Sequence, residues 1–174
     1  MSPNIVDLTN IILSILCYGF VYLFIFNALK VNYFNPIVKV FVAAYKPISK
    51  LSVFSNQLYT IGLIAVGLKF LSFQLLYSSQ YEALVLIIIA FIEIIKIALN
   101  IIFFSIIGSV ILSWVSPNND HPAPELINEI SDNVLNPIKK FIPSIGGLDF
   151  SPIFAFILIN VIISFLQDII RSIV

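Results

Sequence analysis

The sequence predicts an all-α membrane protein: four transmembrane helices in two parallel hairpin repeats, each with a short amphipathic interfacial helix in its cytoplasmic loop. Three observations carry that expectation. Sixty per cent of the residues are hydrophobic and only 10% are charged, with a mean hydropathy of +1.06. A soluble domain of this length needs a far more charged surface, so composition excludes the ordinary soluble enzyme and binding-module classes. Apolar segments at about 8–29, 57–77, 83–115 and 152–171 each reach the roughly 20 residues that cross a hydrocarbon core. Finally, the second half repeats the first at a shift of 90 residues: Pro47-Ile48-Ser49-Lys50-Leu51 aligns with Pro137-Ile138-Lys139-Lys140-Phe141. The two units are 1–80 and 81–174.

The first segment has no Lys or Arg ahead of it and no small-residue cleavage site behind it, so it reads as a retained span. Cys17 lies inside it and is the single cysteine, which excludes an intramolecular disulfide and reads as a small hydrophobe. After Tyr33 and Phe34, Asn35-Pro36 starts a helix that carries Lys39, Lys46 and Lys50 on one stripe and is interrupted by Pro47. The span 57–77 follows. The third apolar run, 83–115, would extend about 50 Å as one helix, too long for an upright crossing. No turn is written in its middle, so it reads as one long tilted helix, or as a span whose first turns lie against a neighbour. Five spans would invert the second repeat, and the charge distribution favours four.

In the second connector, Pro122 and Pro124 suit a first helical turn, and Leu126, Ile127, Ile130, Val134, Ile138 and Phe141 recur at spacings of three and four. Glu125, Glu129, Asp132, Asn133 and Asn136 take the other side. This is an amphipathic helix, expected to bend or end near Asn136 at Pro137. Either it lies in the headgroup interface or it caps the bundle; amphipathicity alone fits both. Gly146-Gly147 then permits a turn, Asp149 sits where the dipole of the next helix favours an anion, Ser151 can cap, and Pro152 fits the first turn.

Net charge is zero, yet the cations are unevenly placed. Lys30, Lys39, Lys46, Lys50, Lys139 and Lys140 fall in the two connectors, against Arg171 at the far end of the last span. The positive-inside rule therefore expects both connectors in the cytoplasm and both termini outside.

On these motifs the chain resembles the YggT family of bacterial membrane proteins, related to the YlmG proteins of Gram-positive bacteria and plastids. The residues are Tyr33-Phe34-Asn35-Pro36 with Lys46-Pro47-Ile48, Leu112-Ser113-Trp114-Val115, and the run from Asn136 through Pro137, Lys139, Lys140, Pro143, Gly146, Gly147 and Asp149 to Pro152. Where family members tend to carry paired arginines after the proline, this chain has Ser49-Lys50 and Lys139-Lys140, and the first copy lacks the following Pro-x-x-Gly. The resemblance implies a multi-pass inner-membrane protein with no established enzymatic activity, and a non-enzymatic role is expected. Its relatives are connected with cell division or envelope organisation, osmotic tolerance and, in plastids, haem attachment and nucleoid distribution.

The residues themselves offer little chemistry. His121 is the single histidine and no C-x-x-C-H, P-loop, dinucleotide or Gly-x-Ser-x-Gly pattern occurs, so no metal or cofactor set is assembled and none is expected. The intramembrane charges Lys69, Glu93 and Lys96 are the sharper feature, because such residues are costly in lipid. A Lys69–Glu93 pair would point to a transporter or channel, whereas a local Glu93–Lys96 pair would be structural. Ser105, Gly108, Ser109 and Ser113 form a small-residue face on the third span, with Gly19 as a matching gap on the first. Trp114, Tyr22 and Tyr33 suit headgroup-level anchoring.

The resulting functional expectation is a scaffold or assembly factor working through a basic, proline-kinked surface built on Pro47, Lys50, Pro137, Lys139, Lys140, Pro143, Gly146, Gly147 and Asp149. Its expected partners are anionic lipid headgroups, other membrane proteins and a second copy of the chain. Nothing in the sequence predicts nucleic-acid binding.

Overall fold

Four helices long and apolar enough to cross a membrane dominate the computed structural model, which describes residues 3–47, 57–115, 121–142 and 149–174. In chain order they are α1 (Pro3–Ala28), α3 (Gln57–Tyr77), α4 (Ala83–Val115) and α6 (Ser151–Ile173). Two shorter helices, α2 (Pro36–Tyr45) and α5 (Pro122–Lys139), form the connectors. Lys50, Pro143, Gly146 and Gly147 lie outside the described residues.

α1 and α3 pair antiparallel. Cys17 Sγ approaches the Ala65 carbonyl at 3.7 Å, Ser72 Oγ donates to Asn10 Oδ1, and Gly62 lets the Phe24 ring come close. α3 then packs on α4, and α4 on α6. A cluster of Cys17, Val21, Phe26, Ile61, Ala65, Ile94 and Ile97 forms the larger core, and Ile106, Leu135, Ala155 and Ile159 form a second.

α4 is a single unbroken helix of 33 residues. Its first turns do lie against neighbours: Leu86 and Ile89 are buried beside Phe73 and Tyr77 of α3, Ile170 of α6 and Val174 just past its end. Its last turn instead projects beyond the packed region, leaving Trp114 and Val115 largely exposed. Ile106 meets Ala155 near the start of α6, so the excess length sits at the C-terminal end of α4.

α5 does not stop at Asn136. It continues through Pro137 to Lys139 because Leu135 is buried and Ile138 half-buried against the second core, and that packing holds the last turn despite the missing N–H. Its apolar face, Leu126, Ile130 and Leu135, goes into the protein rather than into an acyl boundary. This favours the bundle-capping reading of α5. α2 ends at Tyr45, with Lys46 as its C-cap ahead of Pro47.

The small-residue face also behaves differently from its expected pairing with α1. A Cβ on Gly108 would stand 3.1 Å from Ile127 Cγ2, so this gap admits α5. Ser105 is buried and returns its hydroxyl to the Ile101 carbonyl, while Ser113 is exposed and bonds the Val110 carbonyl. Gly19 has open space around it and borders a groove of about 300 Å3 between α1 and α2.

Candidate functional site: the paired connectors

The chain leaving α1 is shaped by a left-handed cap. Val31 N–H donates to the Phe26 carbonyl at 2.9 Å and Lys30 N–H to the Asn27 carbonyl at 3.3 Å, with Lys30 at φ 54°. These two bonds make a Schellman ending, and buried Val31 and Phe26 supply its usual apolar contact. Asn32 then builds a side-chain turn by accepting from Phe34 N–H at 2.9 Å.

Asn35 does two things at once. Its Oδ1 accepts from Ile37 N–H at 2.9 Å and so caps α2, with Pro36 in the first turn. Its Nδ2 donates to the Pro122 carbonyl at 2.8 Å and faces Glu125 Oε2 at 3.5 Å. The residue is only 2% exposed, so nearly all of its polar capacity is spent inside the protein. Two further bonds run between the connectors: Asn32 N–H to Glu129 Oε1 at 2.7 Å, and Asn133 Nδ2 to the Leu29 carbonyl at 3.0 Å. The linker 29–35 is thereby laid along α5, and both connectors sit at one end of the bundle. His121 caps α5 in the same style, its Nδ1 accepting from Ala123 N–H at 3.2 Å, and Pro122 follows it as Pro36 follows Asn35.

The charges divide across this layer. Lys139 lies 3.3 Å from Asp149 and 3.6 Å from Asp132, so it is a tie between α5 and the start of α6. Asp149 also accepts from Ser151 N–H at 2.8 Å, which secures the first residue of α6 by the acid rather than by the serine hydroxyl. Partial burial pushes the Asp149 carboxyl up, but the hydrogen bonds from Ser151 and the nearby Lys139 outweigh it and hold the group below the usual carboxylate range. Lys140 is exposed, and Lys39 reaches over the Phe34 ring at 5.7 Å. Asn32, Glu125, Asn128, Glu129, Asp132 and Asn133 line a polar hollow on the outer side of α5. The surface is therefore two-signed, not uniformly basic.

Beneath the connectors a groove of about 850 Å3 runs between α1, α2, α4 and α5. Tyr22, Phe26, Phe41 and Phe104 give it aromatic walls, and Asn100 and Ser105 its polar points.

The intramembrane charges are placed apart from this layer. Lys96 Nζ donates to Glu93 Oε1 at 2.7 Å on its own helix and also to Gln167 Oε1 on α6. Lys69 stands over the Phe73 ring at 4.7 Å, and no carboxylate among the described residues comes within ion-pair distance of it. The Lys69–Glu93 pair weighed from the sequence is not formed; the local alternative is.

Sequence reasoning found Asn35 as a helix start and Glu125, Glu129 and Asn133 as a polar face, but not the bonds between them. A signal was available: Asn35 and Glu125 are 90 residues apart, the shift at which the two proline motifs align.

Comparison with known proteins finds relatives over most of the chain. The CCB3/YggT family model matches residues 88–170. An uncharacterised protein of Pseudomonas aeruginosa is 34% identical over 155 residues, covering 80% of this chain and 76% of its own length. An uncharacterised protein of Haemophilus influenzae is 26% identical over 144 residues, covering 80% and 78%. The uncharacterised protein YggT of Escherichia coli K12 is 36% identical over 62 residues, 36% of this chain and 32% of that protein. No solved structure matches.

Proposed function

Because this chain belongs to the YggT family of multi-pass membrane proteins, and because its two connectors are bonded into one layer, we propose that it is a non-enzymatic scaffold or assembly factor of the bacterial inner membrane. The layer faces the cytoplasm and the termini face outward, as the lysine distribution favours. The observation that carries the reading is the docking of residues 29–35 on α5 through Asn32, Asn35 and Asn133. Three bonds and a buried amide hold a polar surface in one shape, which is what a recognition platform requires.

Its cationic points act on anionic headgroups, and its two-signed outer face offers complementary contacts to a membrane-protein partner. Lys139 is committed to Asp132 and Asp149, so Lys140 and Lys39 carry more of the outward charge. The groove under the layer supports the lipid arm, since its aromatic walls suit an acyl chain below a headgroup.

The test uses the full chain in nanodiscs of mixed zwitterionic and anionic phospholipid. Lys39→Glu with Lys140→Glu should lower the anionic lipid retained on extraction and reduce cross-linking to membrane partners, with insertion intact. Retained lipid and partners identical to those of the parent protein would reject the reading. Transport remains the competing function, with Lys69, Glu93 and Lys96 as its residues. It is ranked second because Glu93 and Lys96 satisfy each other and Gln167. Solute flux in liposomes that is lost in Lys69→Leu would reverse that order.

A further inference from the structure

The geometry points to α6 as a homodimer seam: two copies of this chain pair through the face bearing Ile153, Ile157, Asn160, Ser164 and Arg171. Among the membrane-crossing helices α6 is the least covered, with Ser151, Ala155 and Ile159 as its buried residues. On its open side those five residues recur at separations of four, three, four and seven, and all are exposed. Gln167, next in the series, is bonded to Lys96 of α4, so the open stretch runs from Ile153 to Ser164, with Arg171 beyond it. A repeat of alternating three and four is the pattern of a left-handed helix pair crossing at a shallow angle.

Polarity at depth is the independent observation. Asn160 stands nine residues into the span, roughly 13 Å from its start, where lipid tails offer no hydrogen bonds. Its Nδ2 makes one bond, 2.8 Å to the Phe156 carbonyl of its own helix. No bond to its Oδ1 or second N–H comes from any described residue, although it faces outward. Ser164, one turn further on, is also exposed.

The occupant follows from self-complementarity. A two-fold axis along the membrane normal sets each position of the seam against itself. An amide meeting an amide, and a hydroxyl meeting a hydroxyl, both donate and accept, so each pair can be satisfied reciprocally. At the outer end Asp168 and Arg171 are bonded at 3.2 Å within one chain and both are more than two-thirds exposed. In a pair, the arginine of each copy reaches the aspartate of the other. Every polar group on the face then finds its complement on an identical face.

Disulfide cross-linking in native membranes tests this, in a background where Cys17 is replaced by Ser. Ile157→Cys and Ser164→Cys should each give a species of twice the 19.5 kDa chain on mild oxidation. Leu158→Cys should not, although Leu158 is 54% exposed, because it lies on the far side of the same helix. Both reporters keep Asn160 intact. In lipid vesicles, Asn160→Leu should weaken self-association about tenfold by energy transfer, the effect of losing two interhelical hydrogen bonds. Equal cross-linking at 158, absence of the doubled species at 157 and 164, cross-links only to a different protein, or unchanged association in Asn160→Leu would each overturn the proposal.

Discussion

Replacing Asn35 by Asp separates the two jobs of that side chain. The carboxylate can still accept from Ile37 N–H, and Asp caps helices about as well as Asn, so α2 keeps its cap. What is lost is the Nδ2 donor to the Pro122 carbonyl, which leaves a buried acceptor unpaired at a cost of about 1–3 kcal/mol. A second charge also appears beside Glu125 Oε2, which lies 3.5 Å from the present amide. At an effective dielectric of about 20, two full charges at that separation repel by roughly 4–5 kcal/mol, a repulsion relieved when the pair takes up a proton as pH falls. The variant should therefore lose about 2–4 kcal/mol at pH 7 and recover part of it in acid, where one carboxyl is neutral and can donate to the Pro122 carbonyl. Asn35→Ala, by contrast, loses the cap and the donor together, about 2–3 kcal/mol, with no recovery in acid. Unfolding by dodecyl sulfate in mixed micelles, followed by helical circular dichroism at pH 7 and pH 5, measures both. If Asn35→Asp matches the parent at pH 7, or if its loss is independent of pH, the inter-connector bond does not hold the layer.

Four further outcomes follow from the geometry. Lys30→Gly should stabilise the α1 ending by about 1 kcal/mol, because a lysine there occupies a left-handed conformation that glycine adopts without strain; the same unfolding assay reads it. Glu93→Leu should destabilise more than Glu93→Leu with Lys96→Leu, since the single change strands a cation in the membrane; a thermodynamic cycle showing simple additivity would contradict the pairing. Gly108→Leu should displace α5 and raise tryptic cleavage at Lys139 and Lys140, whereas Gly19→Ala should leave that cleavage unchanged. The Asp149 carboxyl is held lower in the folded state than in the unfolded chain, so its stabilisation is complete above the ordinary carboxylate range and drains away as pH falls through the folded value. Asp149→Asn should remove that acid-side loss, seen as amide exchange at the start of α6.

The spans were legible because crossing a hydrocarbon core imposes length and apolarity on each segment separately. α4 shows the limit of that logic. Its 33 residues were readable as one helix because no turn interrupts them, but which end overhangs depends on where α6 begins beside Ile106. α5 shows another limit. Its periodicity marked an apolar face but not what that face meets, since lipid and protein interior select the same residues. Pro137 does not end the helix, for a tertiary reason: burial of Leu135 and packing of Ile138 outweigh one missing N–H. Gly19 and Gly108 looked equivalent as small residues, yet only Gly108 has a neighbour close enough to need the space. At Lys139, two carboxylates converge from positions 132 and 149, and one of them lies across a connection that spacing alone does not close.

The contact between Asn35 and Glu125 joins two connector helices that are capped differently. At 3.5 Å the Asn35 Nδ2 to Glu125 Oε2 contact is at the long limit of a hydrogen bond, so the Pro122 carbonyl at 2.8 Å is the main acceptor. The asymmetry has a consequence for α2 and α5. Asn35 caps its own helix with Oδ1 while its Nδ2 is accepted across the layer, and α5 draws its cap from His121, four residues earlier than Glu125. The second connector thus gains an extra turn at its start, and that turn is what brings the Pro122 carbonyl to Asn35. Restoring symmetry by Glu125→Asn should shift the balance toward a neutral pair without closing the gap at 3.5 Å, so the linker should loosen while α5 stays helical. Exchange of the Asn32 and Ile37 amides reports the first, and total helicity the second.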